Sequence, residues 1–118
     1  MSYVDGFVLP VPKKKVSAYR SMAKKAAKVW KDYGALEFCE SVADDVPYGK
    51  RTSFPRSVKM KRNETVVFSW IIYKSRTHRD AVMKKVMADP RMAKMMKGTP
   101  PFDAKRMIFG GFKVILEA

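Results

Sequence analysis

TVVFSWIIYKS, residues 65–75, is the strongest β signal in the chain. Side chains alternate across a strand, so Val66, Phe68, Trp70 and Ile72 share one face, and Val67, Ser69, Ile71 and Tyr73 share the other. Neither face is polar. A strand with one side in water would alternate apolar with polar residues. This run therefore predicts a central strand buried on both sides. Helices of the same chain can cover one side; a chain of 118 residues does not readily cover the other.

Working outward from it, Tyr3 to Val11 alternates and is rich in β formers, and Pro10 and Pro12 close it. Lys13 to Tyr33 carries Val16, Tyr19, Met22, Ala23, Ala26, Trp30 and Tyr33 at helical spacing, with lysines and Arg20 elsewhere on the cylinder. Gly34 stands where a left-handed C-terminal cap belongs. Ala35 to Ala43 alternates again. Val46 to Glu64 holds Pro47, Gly49 and Pro55 and is long for a structureless loop; within it, Ser57 to Lys61 reads as a short extension of the next strand. Beyond residue 75, Ser75 is an N-cap for a helix over Arg76–Met87. Asp89-Pro90 breaks that helix and restarts one, with Pro90 at the first helical position. Arg106 to Leu116 is the last strand, where the mid-strand pair Gly110-Gly111 signals a bulge or a close approach by another group.

The order strand, helix, strand, strand, helix, strand is the ferredoxin-like split βαβ pattern in a single domain, residues 1–118. Right-handed crossovers put both helices on one side of a four-stranded antiparallel sheet. The other side stays apolar and bare, beyond what a soluble monomer tolerates. A two-fold pairing of sheets removes the problem, so a homodimer is expected, its sheets face to face or curled into a shared barrel around a cavity.

Composition bounds the function. No apolar run approaches the roughly 18–20 residues of a membrane span. The opening MSYVDGFVLP lacks a charged segment followed by an apolar one, so no signal peptide is expected. The single cysteine, Cys39, excludes an internal disulfide and a site with paired cysteine ligands, which fits a cytosolic protein. The net charge of +14 draws in anions, and nucleic acid is one partner it allows, although no nucleic-acid motif accompanies it.

Several stretches resemble a known family. YVDGFVLPVP, ALEFCESVADDV, TSFPRSVK, ETVVFSWIIYKSRTHRD, VMADPRM and PFDAKRMIFGGFKV together resemble the YbaA-like bacterial family, domain of unknown function DUF1428, over nearly the whole chain. The resemblance implies a dimeric α+β barrel. That superfamily includes cofactor-independent monooxygenases, haem-dependent peroxidases and dismutases, and small lactone isomerases; the family itself has no assigned activity, and fold alone does not supply one.

The candidate chemistry rests on few residues. Asp5 and Glu40 fall in strands, where a carboxylate must be paired or hydrated. Asp5 paired with Lys113 or Arg106 would be structural; either carboxylate facing a cavity, its pKa raised by burial, would be a general base. His78 is the lone histidine and sits in a first helical turn; it excludes multi-histidine metal clusters within one chain, and the alternatives are a surface residue, a catalytic group or a haem ligand. No metal and no cofactor is expected. Phe7, Phe38, Ser69, Trp70, Tyr73 and Phe112 are the expected walls of a cavity for a small apolar or aromatic molecule. Met83, Met87, Met92, Met95 and Met96 read as packing around the second helix, with a lid over the cavity as the alternative. Three functions follow: a binding protein or cofactor-free enzyme for such a molecule, a basic nucleic-acid binder, or an interaction module without a ligand.

Overall fold

The computed structural model describes residues 2–118. Its four strands are β1 (Tyr3–Pro12), β2 (Glu37–Val42), β3 (Glu64–Tyr73) and β4 (Ile108–Lys113). They form one sheet in the order β2-β3-β1-β4, with every neighbouring pair antiparallel. The helices are α1 (Val16–Asp32), α2 (Phe54–Ser57), α3 (Arg76–Ala88) and α4 (Pro90–Met95). This is the ferredoxin-like α+β architecture that the element order predicts.

The register divides the sheet into two faces. Tyr3, Asp5, Phe7, Leu9 and Val11 of β1 align with Tyr73, Ile71, Ser69, Val67 and Thr65 of β3. That parity lies under the helices. Tyr73, Ile71 and Tyr3 pack with Val29 and Trp30 of α1 and with Val82 and Val86 of α3, while Leu9, Val11 and Val67 pack with Tyr19 and Ala23. Trp30 Nε1 donates to the Tyr73 hydroxyl at 3.1 Å, so two bulky aromatic polar atoms satisfy each other in the core. Gly34, at φ +105°, ends α1 in the left-handed region.

The opposite parity holds Val4, Gly6 and Val8, then Val66, Phe68, Trp70 and Ile72, then Ile108, Gly110 and Phe112. No helix of the α1, α3, α4 layer reaches it, and Phe112 is 61% exposed and Phe68 42%. Residues 46–63 cover one end of this face. Ser57 to Lys61 is not a strand extension, because α2 occupies Phe54–Ser57, capped by the Ser53 hydroxyl, which accepts from Arg56 N at 3.1 Å. Pro55 in its first turn is pre-set for a helix and lacks the N–H a ladder needs. Val58 then packs on Val8 and Val66, and Phe54 meets Phe68 edge-on.

Arg106 ties the segment before β4 to the start of β3. Its guanidinium donates to Glu64 at 2.7 and 2.8 Å, to Asp103 at 2.9 Å and to the Lys59 carbonyl at 2.9 Å. It is therefore not the partner of Asp5. Gly110 and Gly111 stay in register with Gly6 and Asp5, so the glycine pair marks close approach and not a bulge. A Cβ on Gly111 would collide with the Tyr3 ring and with Arg79 Nη2. The last strand stops at Lys113 rather than Leu116, and Ile115 and Leu116 lie in solvent.

Candidate functional site

A cavity of about 560 Å³ lies between the helix-side face of the sheet and the helices, within the range typical of small-molecule sites. Its floor is two rows of the sheet. One runs Glu40, Ser69, Phe7, Phe109 and the next Phe38, Ile71, Asp5, Gly111, across β2, β3, β1 and β4. Tyr19, Met22 and Trp30 of α1 form one wall. Arg79, Met83 and Met87 of α3, Met92 and Met95 of α4, and Met96, Phe102 and Met107 of the following segment form the rest. The lining is thus largely thioether and aromatic, able to adapt to a flat apolar body.

Two carboxylates interrupt it. The first is Glu40, whose Oε1 accepts from the Tyr19 hydroxyl at 2.7 Å. Burial raises its pKa above the usual 4.5, against the opposing hydrogen bonds from Tyr19 and Ser69. The Tyr19 phenol is raised in turn, by burial and by Glu40, so it stays a donor. The second group is Asp5. Arg79 Nη1 lies 3.6 Å from its Oδ1, and the Tyr73 hydroxyl also bonds to it. Burial raises the Asp5 pKa, opposed by Tyr73 and by the Arg79 charge. Arg79 is committed elsewhere too: Nη2 donates to the Tyr3 hydroxyl at 3.2 Å, and Nε lies 3.1 Å from an Asp80 oxygen. By strand spacing and rise, the Cα atoms of Asp5 and Glu40 are roughly 12 Å apart, room for a bicyclic ring system between them.

The residues singled out in the sequence divide accordingly. Asp5, Glu40, Phe7, Phe38 and Ser69 meet at the cavity. Tyr73 lies beneath it, fully buried, and reaches it through Asp5. Trp70 borders it, yet by the strand alternation its ring lies on the opposite face, where Nε1 donates to Glu37 at 3.3 Å. Phe112 is on that opposite face too, its ring edge 3.9 Å from the position of a Cβ on Gly6. His78 is not brought to the cavity. Its Nδ1 accepts from Lys74 N at 2.9 Å, its own N–H donates to Ser75, and its ring stands edge-on to Tyr73. The partner of Asp5 is Arg79, and neither Lys113 nor Arg106 is. Asp5 and Arg79 are brought together by the diagonal reach from α3 across Gly111, which strand parity does not reveal. Tyr19, Met22, Arg79 and Met107 went unrecognised as lining; the helical stripe containing Tyr19 and Met22 pointed to the sheet without indicating that a gap lay there. The methionine cluster forms cavity wall as well as packing.

Among the described residues, no group of three or more His, Cys, Asp or Glu side chains is placed to hold a metal ion. No helix among them is long and apolar enough to cross a membrane.

Fold and site together define a ferredoxin-like α+β protein with an apolar pocket, two carboxylates at its floor and one uncovered sheet face. Residues 2–104 match the family described as "Protein of unknown function (DUF1428)". The chain is 55% identical over 117 residues to the uncharacterized protein YbaA of Escherichia coli K12, covering 99% of both. It belongs to this family. Among solved structures, SnoaB from Streptomyces nogalater, a cofactor-independent oxygenase, superposes with a TM-score of 0.62 at 12% identity, covering 98% of this chain and 95% of that one. A dimeric ferredoxin-like protein from an uncultured marine organism gives 0.56 at 13% identity, covering 100% of both. At such identities the likeness concerns the fold.

Proposed function

We propose that the chain works as a homodimer, paired through the bare sheet face, and that each copy holds one small apolar or aromatic molecule in the cavity under α1, α3 and α4. Glu40 acts there as acceptor and general base: the bound molecule gives up a proton to a carboxylate oxygen of Glu40, and the electron pair stays on the molecule. The observation that carries this is the juxtaposition of Glu40 with the 560 Å³ thioether and aromatic cavity. Burial raises the Glu40 pKa above the ordinary carboxyl value, which makes it a stronger base than a solvated carboxylate. SnoaB, of the same fold, is described as a cofactor-independent oxygenase, and proton abstraction by a carboxylate likewise needs no cofactor. Asp5, its charge paired with Arg79 at 3.6 Å, is the structural member of the pair.

The bare face favours a second copy over nucleic acid. Its strand positions carry aromatics but no Lys or Arg, and β2 adds Glu37. A base-stacking platform needs cations beside its aromatics to neutralise phosphates.

Naphthol and naphthalene test the cavity, because they share rings and differ by one hydroxyl. Isothermal titration should show naphthol bound about tenfold more tightly, the worth of one charge-assisted hydrogen bond. Glu40→Gln should abolish the difference. Equal affinity for both in the wild type would remove Glu40 from the site, and no binding of either would empty the proposal.

A further inference from the structure

A second groove, of about 500 Å³, lies on the outer side of the cavity wall, between α1 and the edge strand β2. Tyr19, Phe38 and Glu40 border both spaces. The hydrogen bond from Tyr19 to Glu40 therefore closes the wall between them. The outer groove has an apolar floor of Phe38, Val42 and Val67 and a flank from α1 that includes Arg20 and Lys24. These two stand four residues apart on one helical stripe, both exposed. Like charges at that spacing repel, yet neither has an acidic partner among the described residues. Six acidic residues make ion pairs, and they engage Arg76, Arg79, Arg91, Arg106 and Lys28 instead.

The inner cavity offers the opposite. Its one cation, Arg79, is charge-paired with Asp5 and Asp80 and donates to the Tyr3 hydroxyl, and Asp5, which borders the inner space alone, would repel an anion placed wholly inside. An apolar body fits the inner space and an anionic group fits the outer one. We propose that the ligand is an amphipathic anion, its aromatic or aliphatic body in the inner cavity and its carboxylate, sulfonate or phosphate end between Arg20 and Lys24 in the outer groove. This rests on the cavity reading above and adds the ligand's charge and orientation. The bound molecule crosses the wall by parting Tyr19 from Glu40, whose 2.7 Å hydrogen bond closes it in the empty protein, and this sets the atom next to its anionic end beside the Glu40 carboxyl. The net charge of +14 then concentrates such ligands near the groove.

N-phenylnaphthylamine and anilinonaphthalene sulfonate share one ring skeleton and differ by the sulfonate, and both fluoresce on entering an apolar site. With the full chain at low salt, the sulfonate should bind about tenfold more tightly, as expected of a charge-assisted contact. The double variant Arg20→Ala, Lys24→Ala should lose that advantage and keep its affinity for the neutral probe. Lys84→Ala, Lys85→Ala removes the same charge from the exposed face of α3 and should keep the advantage. If the neutral probe binds but the sulfonate gains nothing, or if its gain survives the Arg20 and Lys24 substitutions, the anionic subsite is wrong and the cavity reading stands. If neither probe binds, both fall.

Discussion

Two neighbouring glycines do different work. A Cβ on Gly111 would meet the Tyr3 ring at 2.7 Å and Arg79 Nη2 at 2.8 Å, whereas one on Gly110 would find only the Phe112 ring edge, at 3.7 Å. Gly111→Ala must push aside Tyr3 and the arginine that holds Asp5, and should cost about 1–3 kcal/mol; Gly110→Ala should stay within about 1 kcal/mol. Urea unfolding of the pair measures this, and equal losses would mean that Arg79 has slack the structure does not suggest. Glu40 makes a separate prediction, in pH. Its folded pKa is raised by burial above 4.5, so the unfolded chain releases this proton first as pH climbs. The stability it contributes is complete below 4.5 and is lost as pH rises through the folded pKa. Glu40→Gln should therefore gain on the wild type as pH climbs from 4.5 through the folded pKa. A stability difference that stays constant over that range would show the carboxyl to be as well solvated folded as unfolded.

At the scale of elements, Asp89 is the joint on which the methionine wall turns. It ends α3 and caps α4, its carboxylate accepting from Arg91 N at 2.7 Å, from the Arg91 guanidinium at 3.0 and 3.1 Å and from the Tyr33 hydroxyl at 2.7 Å. Those bonds, Arg91 foremost, hold its pKa below the ordinary 3.8. The stability they supply is present above that value and lost as pH falls through the folded pKa. Asp89→Asn keeps a cap but should flatten the acid limb of the stability curve below about pH 4, read by circular dichroism; an unchanged limb would place the acid sensitivity elsewhere. The Asp89-Pro90 joint was legible in the sequence because a cap and a proline act locally. So were β1 and β3, whose alternation is unbroken. What was not legible has one cause. Alternation shows which residues share a face, not which face receives the helices, so Phe7, Ser69 and Tyr73 were grouped with Trp70 and Phe112 of the opposite face. Short α2 was hidden because four residues carry no helical period, though Ser53 and Pro55 were its signals. The Asp5–Arg79 contact was hidden because it depends on a side chain crossing from α3 to β1.

The whole molecule presents an imbalance between the two sides of its sheet. The helices and residues 46–63 leave Ile108 45% exposed beside Phe68 and Phe112, with Val4, Trp70 and Ile72 half-buried among them. The apolar end of the chain, Ile115 and Leu116, projects from the same strand at 85% and 79% exposure, suited to lie against a neighbour. A contiguous apolar face of this kind is unfavourable in water by about 25 cal/mol per Å², and a two-fold pairing buries the same residues twice over. The net charge of +14 opposes association, but the face itself carries no Lys or Arg, so the repulsion acts at a distance and is screened by salt within about 10 Å at 0.1 M. Sedimentation equilibrium at micromolar concentration should accordingly give a dimer, more firmly so as salt is raised. Phe68→Asp with Phe112→Asp puts carboxylates from each copy into the pairing surface and should yield a folded monomer, since both side chains are partly exposed and neither belongs to a buried core cluster. A wild-type chain that sediments as a single protomer at every salt concentration would mean that the sheet face is tolerated bare. A charged pair that still dimerises would move the interface to another surface.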